Sequence, residues 1–273
     1  MPRLDEDALL LFDAVREAGA LALGYFRNSP AAHIKADGTQ VSEADLAADR
    51  LLSDRLKAAR PDYGWLSEET PDDGTRHSRQ RVWMADPIDG TRAFLKGVAE
   101  WTVCAALVEE GVPRVGAIFN PATDEFFHAV EGGGAFLNGK SISVSGAASI
   151  EGSRLAITDV MLKRSYWGRP WPTVSTRWVN SIAYRLALVA SGRSDGTMSL
   201  SKKSLWDLAA AHLLVQEAGG VFTTHDGGTL RFDHSGLVFP SVVAAGPKLH
   251  AALLERTREV EVTKDGPRAR TGH

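Results

Sequence analysis

Apolar residues recur with helical spacing from Asp5 to Phe26, where Ala8, Leu11, Val15, Ala18, Ala22 and Phe26 fall on one stripe. A second helix is predicted from Ser42-Glu43-Ala44-Asp45 to Ala59, ahead of Pro61, with Ser42 and Asp45 fitting a capping box. HIKADGTQVS, between the two, carries an Asp-Gly turn signal. The pattern then changes to strands. WMADPIDG reads as a strand ending in an unusual loop. TVCAALVEEG, RVGAIFNP, EFFHAVEGGG and AFLNGKSISVS alternate or run apolar between turn residues. They predict an antiparallel meander with Asn138-Gly139 as a hairpin turn.

The second half is less regular until Ser181. SIAYRLALVAS then predicts a helix closed by Gly192, and Asp195 to Leu200 a short strand. DLAAAHLLVQEA is a strong helix stopped by Gly219-Gly220. VFTTHDGGTLRF reads as a hairpin around Asp226-Gly227-Gly228, LVFPSVVAAG as a buried strand and KLHAALLERTRE as a last helix. The polar tail after Glu261 carries Gly and Pro, so residues 262–273 are expected to be disordered. Periodicity alone therefore reaches an α/β (α+β) chain. It has an N-terminal α+β half over 1–150, a C-terminal α/β half over 151–261, and a soft boundary between Gly146 and Gly152.

Composition narrows the classes. A chain of 273 residues suits one large domain or two smaller ones sharing a core. Its 44% hydrophobic content is ample for such a core. A formal net charge of −3 gives no overall drive toward a nucleic acid polymer or a membrane surface. Cys104 is the only cysteine, so no intrachain disulfide can form, and its strand-like setting predicts a buried, inert thiol. The start MPRLDEDALL has no long apolar stretch of the signal-peptide kind, and no apolar run reaches the ~18 residues of a membrane span. The simplest expectation is a cytoplasmic protein. The eight histidines form no metal-binding pattern, so no zinc site is expected.

Chemistry concentrates in Trp83-Met84-Ala85-Asp86-Pro87-Ile88-Asp89-Gly90-Thr91. Such a turn can aim two carboxylates and a main-chain carbonyl at a hard cation. The amides of Gly90 and Thr91 become available to an anion if a helix starts there. Three further pieces accompany the loop: Leu66-Ser67-Glu68-Glu69-Thr70, Asp45 in the second helix, and Trp206-Asp207 at the opening of another. Each has a plainer reading. Asp207 can cap its helix, Asp45 can serve Ser42 alone, Glu68-Glu69 can be a solvated pair, and Asp, Pro and Gly all favour turns.

KADGTQVSEAD, the Ser-Glu-Glu-Thr run, DPIDGT and WDLAAAHLLVQEAGG occur in that order between Lys35 and Gly220. Together they resemble the inositol monophosphatase superfamily of magnesium-dependent, lithium-sensitive phosphatases. The resemblance implies a layered α-β-α-β-α sandwich with the metals in a cleft between sheet regions, and two or three Mg²⁺ ions per site. It implies Glu68 as a carboxylate ligand of the first ion, Asp86 as a bridging ligand, and Ile88 as the donor of a main-chain carbonyl. Asp89 and Asp207 would hold the second ion. Thr91 with Asp45 would orient the attacking water, and the Gly90 and Thr91 amides would hold a phosphate oxygen. Carboxylates so concentrated repel one another, and divalent cations relieve that repulsion. A homodimer is common in the superfamily.

The rival haloacid-dehalogenase chemistry needs two aspartates two positions apart, and Asp86 and Asp89 are three apart. Within the superfamily, FLKGVAEWTVCAAL is similar to a pattern of the bacterial 3'(2'),5'-bisphosphate nucleotidases. Arg185 falls where those enzymes tend to carry a basic residue, able to bind a second phosphate. The first expectation is thus hydrolysis of adenosine 3',5'-bisphosphate to AMP. The alternatives are inositol-1-phosphate or histidinol-phosphate hydrolysis, and, from another class, a non-catalytic scaffold for phosphorylated ligands. Lys202-Lys203 could add positive potential. The segment Thr158 to Trp178 matches no substrate pattern and is expected to border the pocket.

Overall fold

The computed structural model describes residues 4–28, 32–34 and 40–270. The Asp37-Gly38 turn signal lies outside them. Helix α1 (Leu4–Phe26) leads through strands β1 (Ala32–Ile34) and β2 (Gln40–Ser42) into α2 (Glu43–Ala59). Then come β3 (Gly64–Ser67), β4 (Arg81–Asp89), the short α3 (Thr91–Leu95), and the meander β5 (Thr102–Glu109), β6 (Val112–Asn120), β7 (Glu125–Val130), β8 (Gly134–Leu137) and β9 (Lys140–Ile142). Asn138 takes a positive φ of 48° and Gly139 one of 78°, as the tight turn between β8 and β9 requires. These strands form one seven-stranded sheet in the order β3-β4-β5-β6-β7-β8-β9, antiparallel except for β3 with β4.

The second half of the chain adds a five-stranded sheet, two separate two-stranded pairs and the remaining helices. Its elements are β10 (Arg154–Leu155), α4 (Asp159–Leu162), β11 (Ser175–Thr176), α5 (Ile182–Ala190), β12 (Gly196–Ser199), β13 (Lys203–Ser204), α6 (Leu205–Glu217), β14 (Val221–Thr223), β15 (Val238–Phe239), β16 (Val242–Ala245), α7 (Pro247–Thr257), β17 (Val260–Thr263) and β18 (Gly266–Ala269). The five-stranded order is β11-β10-β12-β16-β14.

Strand alternation explains the layering. Trp83, Ala85, Val103, Ala105 and Leu107 face α1 and α2, whereas Val82, Met84, Cys104, Ala106 and Val108 face α5 and α6. Helices α5 and α6 are apolar nearly all round, because the second sheet covers their other side through Val242 and Ala244. On the outer face of that sheet, Met198, Val243 and Ala245 pack with Leu249 and Leu253 of α7. The layers are thus α, β, α, β, α. The core of the first sheet is completed by helices encoded after residue 180.

Three sequence expectations need correction. VFTTHDGGTLRF is not a hairpin: β14 pairs with β16, and the return segment crosses over instead. Leu230 and Phe232 are buried in the core between the sheets, and the Phe232 amide donates to the Gly111 carbonyl of the first sheet. The predicted tail forms the β17–β18 hairpin, anchored by fully buried Val260 and paired Glu261 and Arg268, while its last residues, 271–273, lie outside the described ones. The apolar run of 237–246 is also broken, into β15 and β16.

Candidate active site

The loop after β4 owes its shape to a bulge. In a regular strand, residues three apart point to opposite faces. The β4–β5 register shifts between Asp86 and Asp89, and the extra residue brings both aspartates onto one cavity. Asp86 is nearly fully buried, with one oxygen accepting the Ile88 amide at 2.9 Å. Gly90 follows with φ +99°, and a Cβ there would stand 2.8 Å from the Glu100 carbonyl oxygen, so the turn admits only glycine. Thr91 then opens α3, leaving the Gly90 and Thr91 amides at its head.

Three other elements converge on this loop. Glu68 sits immediately past β3, its amide bonded to the Ala85 carbonyl. Asp207 lies one turn into α6, where its carboxylate accepts the Ser204 amide at 3.1 Å in a capping box. It therefore occupies the third helical position and not the cap itself. Asp45 plays the matching part in α2: one oxygen accepts the amide and hydroxyl of Ser42, and the other lies 3.3 Å from the Thr91 hydroxyl. Thr91 Oγ1 is also 3.1 Å from the Ile88 carbonyl, so its single proton serves one acceptor at a time.

One oxygen from each of Glu68, Asp86 and Asp207 lies within 4.8 Å of the other two. Asp89 shares their cavity, but its Oδ2 is held at the start of α5 by the Ser181 hydroxyl at 2.6 Å and the Ala183 amide at 2.5 Å. The cavity holds about 310 Å³ and is lined by these carboxylates with Ile88, Gly90 and Thr91. The signal for Ser181 is that of an N-cap, a serine preceding an apolar helix run, and nothing local ties it to Asp89.

Burial pushes the Asp86 and Asp207 carboxyls well above their ordinary range, and repulsion adds to it, from Glu68 and Asp89 for both and from Asp207 for Asp86. Asp89 is also raised by burial, with Ser181, Ala183 and Arg185 opposing. Asp45 is raised by burial against the pull of Ser42. An all-oxygen donor set whose members repel one another fits a hard divalent cation, which supplies the missing positive charge.

Arg185 does not line this cavity. It is buried behind Trp178, with its guanidinium carbon 4.4 Å from the ring centre, and faces a neighbouring cavity of about 540 Å³. Trp178 lines both cavities. Burial lowers the Arg185 pKa to about 10, while Asp89 and Asp207 pull the other way. Lys203 lines the same neighbouring cavity, as do Arg164 and Tyr166 from the 158–178 segment. Cys104 is fully buried, opposite Asp86 in the β4–β5 ladder, and burial raises its thiol.

A profile of the inositol monophosphatase family matches residues 4–261. The chain belongs to the inositol monophosphatase family. An inositol-1-monophosphatase of Mesorhizobium japonicum is 36% identical over 234 residues, covering 83% of this chain and 85% of the relative. A histidinol-phosphatase of Chlorobaculum parvum is 35% identical over 258 residues, covering 90% and 96%. The Nus factor SuhB of Escherichia coli is 30% identical over 258 residues, covering 90% and 93%. Among solved structures, an IMPase of Thermotoga maritima superposes with a TM-score of 0.80 at 28% identity, over 95% of this chain and 98% of that one. The family member described here is a phosphomonoester hydrolase with the family's layered fold. Among the described residues, no helix is long and apolar enough to cross a membrane.

Proposed function

We propose that the chain is a Mg²⁺-dependent phosphomonoesterase that hydrolyses its ester by direct attack of water. The observation that carries this reading is the convergence of Glu68, Asp86 and Asp207 from three elements around one cavity, beside Asp89 and the head of α3. Glu68, Asp86 and the Ile88 carbonyl would hold one cation; Asp86, Asp89 and Asp207 a second. Divalent cations bound there would lower the pKa of water and offset charge on the phosphoryl oxygens. Asp45 and Thr91 would take the proton and fix the direction of the water's attack, since the hydroxyl lies within reach of both Asp45 and the Ile88 carbonyl and can donate to either. The amides of Gly90 and Thr91 would receive a phosphate oxygen.

For the substrate, the neighbouring cavity supports a bisphosphorylated nucleoside, adenosine 3',5'-bisphosphate first among them. Arg185 and Lys203 would meet the second phosphate, and Trp178 or Tyr166 the base. The second reading, inositol-1-phosphate or histidinol-phosphate, is favoured by the names of two relatives. Phosphate release should be measured over a panel of these esters with Mg²⁺. A kcat/KM for the bisphosphate at or below that for inositol-1-phosphate would sink the nucleotidase reading, and no release from any ester would sink the enzyme reading.

A further inference from the structure

Helix α2 carries a second buried carboxylate one turn beyond Asp45. Asp49 is only 6% exposed and lies on the same helix face. Its two oxygens are both used. Oδ1 accepts the Ser67 hydroxyl, and Oδ2 accepts the Thr70 hydroxyl at 2.7 Å. Those two residues bracket Glu68. Ser67 is itself buried and ends β3, and its hydroxyl oxygen also lies 3.4 Å from the Glu69 amide. Asp49 is absent from the lining of the acidic cavity, so it does not face whatever binds there.

We propose that Asp49 is the positioning residue of Glu68, holding the Ser67–Thr70 turn against α2 so that the Glu68 carboxylate meets Asp86 and Asp207. The inference rests on the cation-binding reading of that cluster. The chemistry calls for a carboxylate. Both Asp49 oxygens accept, so both hydroxyls point at it and the turn is held at two places. An asparagine would offer a donor to one of them, so that hydroxyl would have to turn round and accept, and both bonds would be made to a neutral amide. A buried charged acceptor also makes stronger bonds than a neutral one. Helix α2 therefore acts as a two-point jig: Asp45 steadies Thr91 of the DPIDGT loop and Asp49 steadies the strand end carrying Glu68. The two loops that must meet are referenced to one rigid element.

The test is a double-mutant cycle read by calorimetric Mg²⁺ and Mn²⁺ binding to the purified full chain, with thermal unfolding of the metal-free protein alongside. Asp49→Asn is expected to weaken cation affinity about 10–100-fold, the range for residues that orient metal ligands. In a Glu68→Gln background the same change should alter affinity less than about twofold, because the residue it acts through is gone. Ser67→Ala should reproduce the Asp49→Asn loss in a protein that remains folded at the assay temperature. An equal loss from Asp49→Asn in both backgrounds, or a folded Asp49→Asn protein with wild-type affinity, overturns the proposal. Should Asp49→Asn fail to fold, the cycle is run with Ser67→Ala in its place. Wild-type protein that binds neither cation overturns the reading of the site and this inference with it, which separates the two failures.

Discussion

At the scale of single residues, the site is a set of charges held against their own preference. Asp86 is nearly fully buried and feels four other carboxylates, Glu68, Asp89, Asp207 and Asp45. Asp86→Asn should abolish phosphate release yet raise the melting temperature of the metal-free protein. Relief of ~1 kcal/mol corresponds to roughly 2–4 °C in a chain of this size, so scanning calorimetry in chelator resolves it. A lower metal-free Tm would contradict the repulsion described here. Gly90 makes the opposite case. Gly90→Ala sets a side chain at φ +99° against the Glu100 carbonyl, and should cost more than ~1 kcal/mol by denaturant titration while collapsing kcat. DPIDGT was readable because its residue types have few other uses together. The contact of Asp89 with Ser181 was not, because the partners are 92 positions apart and only the fold brings them together.

At the scale of elements, short-range pattern was the reliable guide. Helices α1 and α2 and the meander follow from period and turn residues alone. Errors came where the chain had a choice of partner. The segment after Asp226 has turn chemistry that suggests a local return, but Leu230 and Phe232 gain more by filling the space between the sheets beside His212. Local signals carry no information on that competition. Packing between elements reaches the site as well. Gly116 on β6 lets α6 approach so closely that a Cβ would lie 3.0 Å from the Ala210 backbone. Gly116→Val should push α6, and Asp207 with it, away from β4. The expected result is a higher Mg²⁺ concentration for half-maximal activity with near-normal far-UV circular dichroism. Unchanged metal dependence would show that α6 can shift without moving its carboxylate.

At the scale of the whole molecule, the buried carboxyls couple stability to pH and to cations. Folded-state values raised above the usual 3.8 mean that the folded chain binds more protons than the unfolded one in that window. This part of the stability is present below the ordinary carboxyl range and lost as pH rises through the raised values. The metal-free protein should therefore lose melting temperature with rising pH more steeply than Asp86→Asn. Saturating Mg²⁺ at neutral pH should restore it, by about 2.7 kcal/mol at a hundredfold excess over Kd. A flat difference between the two pH profiles would mean that the cluster is relieved by something other than cations.

The central helical layer has a further consequence. Because α5 and α6 fill the underside of a sheet encoded before them, a ribosome that has finished residue 150 has made a sheet with one greasy face bare. That half must wait, collapsed and sticky, until about seventy more residues emerge. Severed fragments divided there should each precipitate alone yet recover a working enzyme when co-expressed.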